Sequence, residues 1–128
     1  MIIHTDGASR GNPGQAAIGV TIKDEKGNLL KSVSQAIGIT TNNQAEYKAI
    51  IVALEQAIRL GAKQVELNSD SELVVFQLTG RYRVKKDTLI PLFQKVKELI
   101  AHFESFKVKN IPREQNSEAD ALANKAYG

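Results

Sequence analysis

The stretch TTNNQAEYKAIIVALEQAIRLG (40–61) limits what the rest of the chain can be. Tyr47, Ile50, Ile51, Leu54 and Ile58 recur at i, i+3, i+4, i+7 and i+11, one apolar stripe of a helix that Gly61 ends. A one-sided helix is stable only where a second layer takes its stripe. The segments around it supply that layer. Residues 2–6 alternate loosely and end at Asp6, while AAIGVTI (16–22) and LLKSVSQAI (29–37) read as strands joined by DEKGN, with Gly27 suited to positive φ. Downstream, QVELNSD (64–70) sets Val65 and Leu67 on one face of a strand ending at Asp70, and SELVVFQLTG is a short helix closed by Gly80. Leu92, Phe93, Val96, Leu99, Ile100 and Phe103 return to helical spacing, FKVKNI alternates with its lysines outward, and SEADALANKA is a last helix. Three strands in a row predict an antiparallel meander, and the later strand–helix–strand unit predicts parallel pairing. The expectation is one mixed α/β domain over residues 1–128.

Composition narrows the chemistry. Cysteine is absent, so disulfides and thiolate nucleophiles are excluded. No apolar run approaches the ~20 residues of a membrane span, and the start lacks the pattern of a secretory signal. A cytoplasmic protein without membrane contact is expected. The net charge of +3 leans toward an anionic partner, with one local excess in RYRVKK (Arg81, Arg83, Lys85, Lys86). Aromatic residues make up only 5% and tryptophan is missing, which argues against a base-stacking platform.

The acids are the informative residues. Asp6 reads as the last residue of its strand, and Asp70 closes another; parallel neighbours would bring both to one sheet edge, where ligands bind. Glu46 and Asp120 fall in the first turns of two helices that can point toward that edge. Each has a structural alternative. Asp6-Gly7 as a hairpin turn is excluded by length, since the next strand starts about nine residues later. Asp70 is an acceptable N-cap, Asn43-Gln44-Ala45-Glu46 resembles a capping box, and Ser117-Glu118-Ala119-Asp120 fits one. Taken together, four carboxylates form an oxygen-only set that suits Mg²⁺ or Mn²⁺ and suits zinc poorly. Its natural use is a pair of ions about 4 Å apart in phosphodiester hydrolysis. Gly7, Gly11 and Gly14 match neither a P-loop nor a dinucleotide fingerprint. His4 inside a strand and His102 at a helix end offer no hydrolase triad.

Four motifs in order, TDGASRGNPG, TTNNQAEYKA, NSDSELV and EQNSEADALA, make the sequence resemble type 1 ribonucleases H, of the compact archaeal and reverse-transcriptase-like kind without a basic protrusion. The resemblance covers nearly the whole chain. It implies a ribonuclease H-like α/β fold: a five-stranded mixed sheet, three strands antiparallel and two more parallel, flanked by helices. It implies endonucleolytic cleavage of the RNA strand of RNA/DNA hybrids, leaving 5′-phosphate products, with two Mg²⁺ or Mn²⁺ ions. Asp6, Glu46, Asp70 and Asp120 match the family's metal-binding acids, and the Gly7 carbonyl adds a metal contact. By the same match Asp6 and Asp70 hold both ions most directly, Glu46 also senses the RNA 2′-hydroxyl, and Asp120 binds the ion that organises the attacking water. Ser9, Asn12, Asn42 and Asn43 match positions that meet the hybrid's minor groove, Thr41 one that contacts a DNA phosphate, and Arg113 and Asn116 further substrate positions.

The match has two departures. The loop PREQNSE lacks the histidine that many bacterial members carry there, leaving Arg113 or Glu114 in its region. The basic protrusion is replaced by RYRVKK alone, which predicts weaker, salt-sensitive hybrid binding. A monomer acting on RNA/DNA hybrids is the leading expectation, with double-stranded RNA a substrate only under the alternative of a related nuclease. A non-catalytic hybrid- or RNA-binding module on the same fold, or a related nuclease, is the alternative.

Overall fold

A computed structural model of the chain describes residues 1–127. Two ten-residue strands open it, β1 (Ile2–Gly11) and β2 (Gly14–Lys23), paired antiparallel from Ile2 opposite Lys23 to Gly11 opposite Gly14. Asp6 is therefore inside β1 rather than at its end. The expected loop after it is strand, and the turn is a tight one at Asn12-Pro13. Gly7, Ala8, Ser9 and Gly11 have little strand preference, but their ladder to β2 overrides it. Asp6 does sit at a terminus of another kind: the parallel ladder to β4 (Gln64–Ser69) stops at Thr5 opposite Ser69. The carboxyl end of the parallel half of the sheet thus falls where the sequence places it, while β1 runs on with β2 alone.

β3 (Leu29–Thr40) pairs antiparallel with β2, and β5 (Ser105–Asn110) pairs parallel with β4. The result is a five-stranded mixed sheet in the order β3-β2-β1-β4-β5. Asp24 closes the β2–β3 turn by accepting from the backbone N–H groups of Lys26 and Asn28, both at 2.9 Å. Four α-helices flank the sheet: α1 (Asn42–Arg59), α2 (Glu72–Leu78), α3 (Ile90–Ile100) and α4 (Ser117–Lys125). None of the described helices is long and apolar enough to cross a membrane.

The stripe of α1 is buried as expected, with Tyr47, Ile50 and Leu54 fully covered against Ile3, Val20 and Ile22 of the sheet. Each such side chain contributes about 1.5–3 kcal/mol of burial. A second set, Ala45, Ala49, Ala53 and Ala57, is buried in a flanking stripe, and Ala45 lies against Gly7 of β1. Helix α1 begins earlier than expected. Thr41 is its N-cap, its hydroxyl accepting from Gln44 N–H at 3.2 Å while Gln44 Oε1 accepts from Thr41 N–H at 3.0 Å. The capping box is thus Thr41–Gln44, not Asn43–Glu46, and Glu46 lies in the second turn.

On the other face α4 packs against β1, β2 and β3. The contact is close because Gly19 has no side chain: a Cβ there would stand 2.6 Å from Ala123 N and nearer still to the Ala119 carbonyl. Ala119 and Ala123 are the buried face of α4, and Ser34 Oγ donates to the Leu122 carbonyl at 2.6 Å. This seat holds Asp120 beside the sheet edge. Replacing Gly19 by Ala presses a methyl into helix backbone that cannot rotate away. We expect Gly19→Ala to cost about 2 kcal/mol or more, read as a lower urea midpoint. An unchanged midpoint would mean that α4 is not seated this closely.

Candidate active site

At the edge where the β1–β4 ladder ends, carboxylate oxygens of Asp6, Glu46 and Asp70 lie within 4.8 Å of one another. They arrive from three elements: Asp6 from within β1, Glu46 from the second turn of α1, and Asp70 from the residue following β4. Ser71, not Asp70, caps α2, accepting from Val74 N–H at 3.4 Å, which leaves the Asp70 carboxylate to the cleft. Asp6 is 7% exposed and Glu46 6%.

Close packing makes this approach possible. A Cβ on Gly7 would stand 2.6 Å from Glu46 N and collide with the Ala45 carbonyl, so only glycine lets β1 pass under the start of α1. Gly7 N–H then donates to Glu46 Oε1 at 2.5 Å, and Ser69 Oγ lies 3.5 Å from Glu46 Oε2. Ser69 carries no sequence signal except that it precedes Asp70.

The charge balance is unfavourable without a cation. Burial first, then the charges of Asp70 and Asp120, push the Asp6 carboxyl up from its ordinary 3.8 to about 7. Burial and the charge of Asp6 likewise hold Glu46 well above the usual carboxylate range, opposed in part by the Gly7 N–H. No described lysine, arginine or histidine is ion-paired with Asp6, Glu46 or Asp70. An all-oxygen set short of positive charge is the donor chemistry of Mg²⁺ or Mn²⁺, so the residues present fit a divalent ion.

The expected fourth acid stands beside this group. Asp120 lies in the first turn of α4, with Oδ1 3.8 Å from an Arg113 guanidinium nitrogen and Oδ2 accepting from Asn124 Nδ2 at 3.3 Å. The Ser117–Asp120 capping box does not form; Asn116 is the N-cap residue and its side chain makes no capping bond. Arg113, on a 3-10 turn over Arg113–Gln115, is open to solvent and lines the cleft. That cleft, of about 280 Å³, is also lined by Asn42, Asn43, Ala8 and Ser71.

The remaining expected contacts form a rim. Asn12 Oδ1 accepts from Asn42 N–H at 3.0 Å, and Asn42 Oδ1 accepts from Ser9 N–H at 2.9 Å, lacing the β1–β2 hairpin to the start of α1. Ser9 Oγ donates to the Gly11 carbonyl at 2.5 Å, and the Thr41 hydroxyl serves the helix cap. Asn116 is not on this rim: it is 1% exposed, beneath the acids. Tyr127 was not anticipated; its hydroxyl donates to the Ala8 carbonyl at 2.7 Å, and Arg10 lies 3.9 Å over its ring.

The profile of the reverse transcriptase-like family matches residues 4–126. The chain is 44% identical over 121 residues to a protein named ribonuclease HI from Halobacterium salinarum, covering 94% of this chain and 61% of that protein. It is 40% identical to the bifunctional protein Rv2228c of Mycobacterium tuberculosis, of which it spans 35%. The solved structure of the N-terminal ribonuclease H domain of Rv2228c superposes with a TM-score of 0.96, covering 99% of this chain and 98% of that one. LC11-RNase H1, solved in complex with an RNA/DNA hybrid, is 48% identical with a TM-score of 0.92, covering 98% and 94%.

The buried acids have a consequence for the metal-free protein. Asp6 binds its proton more tightly folded than unfolded, so stability falls as pH rises from 3.8 toward 7 and the full cost remains above that window. In EDTA at about pH 8, Asp6→Asn should raise the melting temperature by roughly 5 °C, with the gain shrinking toward about pH 4. Added Mn²⁺ should produce a similar gain in wild type at high pH. A variant less stable than wild type at high pH would show that the acids are not mutually repelling.

Proposed function

This chain belongs to the reverse transcriptase-like family of ribonuclease H-type domains, and on that premise we propose that it is a metal-dependent endoribonuclease that cleaves the RNA strand of RNA/DNA hybrids. The observation that carries the reading is the buried trio of Asp6, Glu46 and Asp70 with Asp120 alongside, in a cleft rimmed by asparagines. The chain spans 61% of the Halobacterium relative and 35% of Rv2228c. Residues 1–128 are taken as one domain, working as a monomer in the cytoplasm.

Asp6, Glu46, Asp70 and Asp120 would hold Mg²⁺ or Mn²⁺, two ions with substrate, and the Gly7 carbonyl would add a ligand. When bound, such ions lower the pKa of water and steady a leaving oxygen. The chain's own groups do the rest. The Gly7 N–H holds Glu46 in a fixed orientation at the cleft floor. Asn12 and Asn42 spend their side-chain oxygens on the hairpin–helix lacing, which turns their amino groups into the available donors. Donors along a minor groove, with Ser9 and Asn43 beside them, can read the 2′-hydroxyls that separate RNA from DNA. Thr41, at the start of α1, stands where a backbone phosphate of the DNA strand is favoured by the helix N-terminus. Arg113, exposed at the lip beside Asp120, is placed to meet a phosphate near the reacting bond.

Labelled hybrid, duplex RNA and duplex DNA, each with Mg²⁺, Mn²⁺ or EDTA, test the proposal. We expect hybrid cleavage to 5′-phosphate products, lost in EDTA and reduced by about a thousandfold or more in Asp70→Asn. Cleavage surviving in EDTA would remove the metal mechanism, and cleavage of no substrate would favour a binding module. Faster cutting of duplex RNA than of hybrid would reassign the substrate.

The exposed Arg81, Arg83, Lys85 and Lys86, between α2 and α3, supply the salt-sensitive part of binding. Raising salt from about 50 to 200 mM should raise KM by tenfold or more, with a shallower slope when these four are neutralised. An equal slope in wild type and variant would exclude RYRVKK as a phosphate contact.

A further inference from the structure

Asn116 sits where four separate parts of the site meet. Its Nδ2 donates to the Thr5 carbonyl at 2.8 Å and lies 3.3 Å from Asp70 Oδ2. Its main-chain N–H donates to the Arg113 carbonyl at 2.9 Å, and its own carbonyl accepts from Asp120 N–H at 3.0 Å. One buried residue thus touches the neighbour of Asp6 on β1, Asp70 itself, and both members of the Arg113–Asp120 pair. We propose that Asn116 is a positioning residue that orients the Asp70 carboxylate and clamps the start of α4 to the β1–β4 edge, setting the spacing of the acids. The inference rests on the metal-centre reading above and deepens it.

The chemistry explains why asparagine is needed. Two acceptors, a carbonyl and a carboxylate, converge on one nitrogen that carries two hydrogens. Serine has one hydrogen to give. Aspartate has none and would add another negative charge against Asp70. Leucine would fill the space and leave the Thr5 carbonyl without a donor.

Two features show that the residue is not there for stability alone. Asparagine at a helix N-cap ordinarily turns its side chain onto the first-turn N–H groups, yet this side chain makes no capping bond. The amide is instead turned inward, toward the acids. Its Oδ1 is buried without a hydrogen-bond partner among the described residues, a desolvation cost that an apolar residue would avoid. A side chain that forgoes its cap and leaves an acceptor unmet, while giving both hydrogens to the site, is arranged around the carboxylates. Groups that orient metal ligands in this way are worth about ten- to a hundredfold in metal affinity.

The test uses the whole chain, Mn²⁺ alone as probe, and hybrid cleavage as a second readout. Asn116→Ala should weaken Mn²⁺ binding, measured by calorimetry, by about tenfold or more. Its kcat should fall to a similar extent, with KM for hybrid within about threefold of wild type. Asn116→Ser, which keeps one donor, should lie between. A raised KM with unchanged kcat and Mn²⁺ affinity would overturn the assignment in favour of a substrate contact. A lowered melting temperature with unchanged Mn²⁺ affinity, or failure of both variants to fold by circular dichroism, would make Asn116 structural only. Wild type that binds Mn²⁺ but cuts no hybrid would sink the proposed activity, and the Mn²⁺ arm would still decide the role of Asn116.

Discussion

Carboxylates from three elements share a space less than 5 Å across, in a place largely closed to water. Like charges so close raise one another's pKa and weaken the fold that holds them. The surrounding structure can be understood as what keeps them together against that repulsion. The Gly7 N–H and the Asn116 amide are neutral donors set against acids, and neither cancels a charge. A divalent cation is the complement that such a set of oxygens suits.

Holding the acids in place demands close backbone approaches more than strong bonds. Glycine at position 7 lets β1 pass beneath α1, so that Glu46 reaches the edge. Glycine at position 19 lets α4 settle on the opposite face, so that Asp120 stands beside the group from the other side. The helices bring acids to one strand edge because the sheet between them carries no side chain at those two points. Fold and site therefore share a geometry: the same contacts that bury α1 and α4 place their acidic residues.

The sheet, its helices and their order were legible because apolar spacing is a local signal that burial enforces. The stripe from Tyr47 to Leu54 could not face water, and Val65 with Leu67 had to share a face. Boundaries and caps were less legible. Residues 7–11 have poor strand preference and became strand only because β2 offered a complete ladder, something no local window contains. Two of the apparent capping boxes failed for a related reason. Thr41 took the cap of α1 one turn before Glu46, and Asn116 gave its side chain to β1 and Asp70 in place of α4.

That Asp6, Glu46 and Asp70 come together was legible in the sequence, from acids at the ends of parallel strands and near the start of a helix. The sequence also determined the asparagines around them and the absence of any thiol. What only the tertiary structure decided was which groups face the cleft and which support it. Asn116, which the resemblance makes a substrate position, is buried in the fold, and an amide in a sequence has no pattern that separates a ligand contact from an internal hydrogen bond. The perturbed protonation of Asp6 and Glu46 likewise belongs to the fold, since it comes from burial and from neighbours distant in the chain. Residue type supplies the chemistry, and distance and desolvation, which exist only once the chain is folded, set its strength.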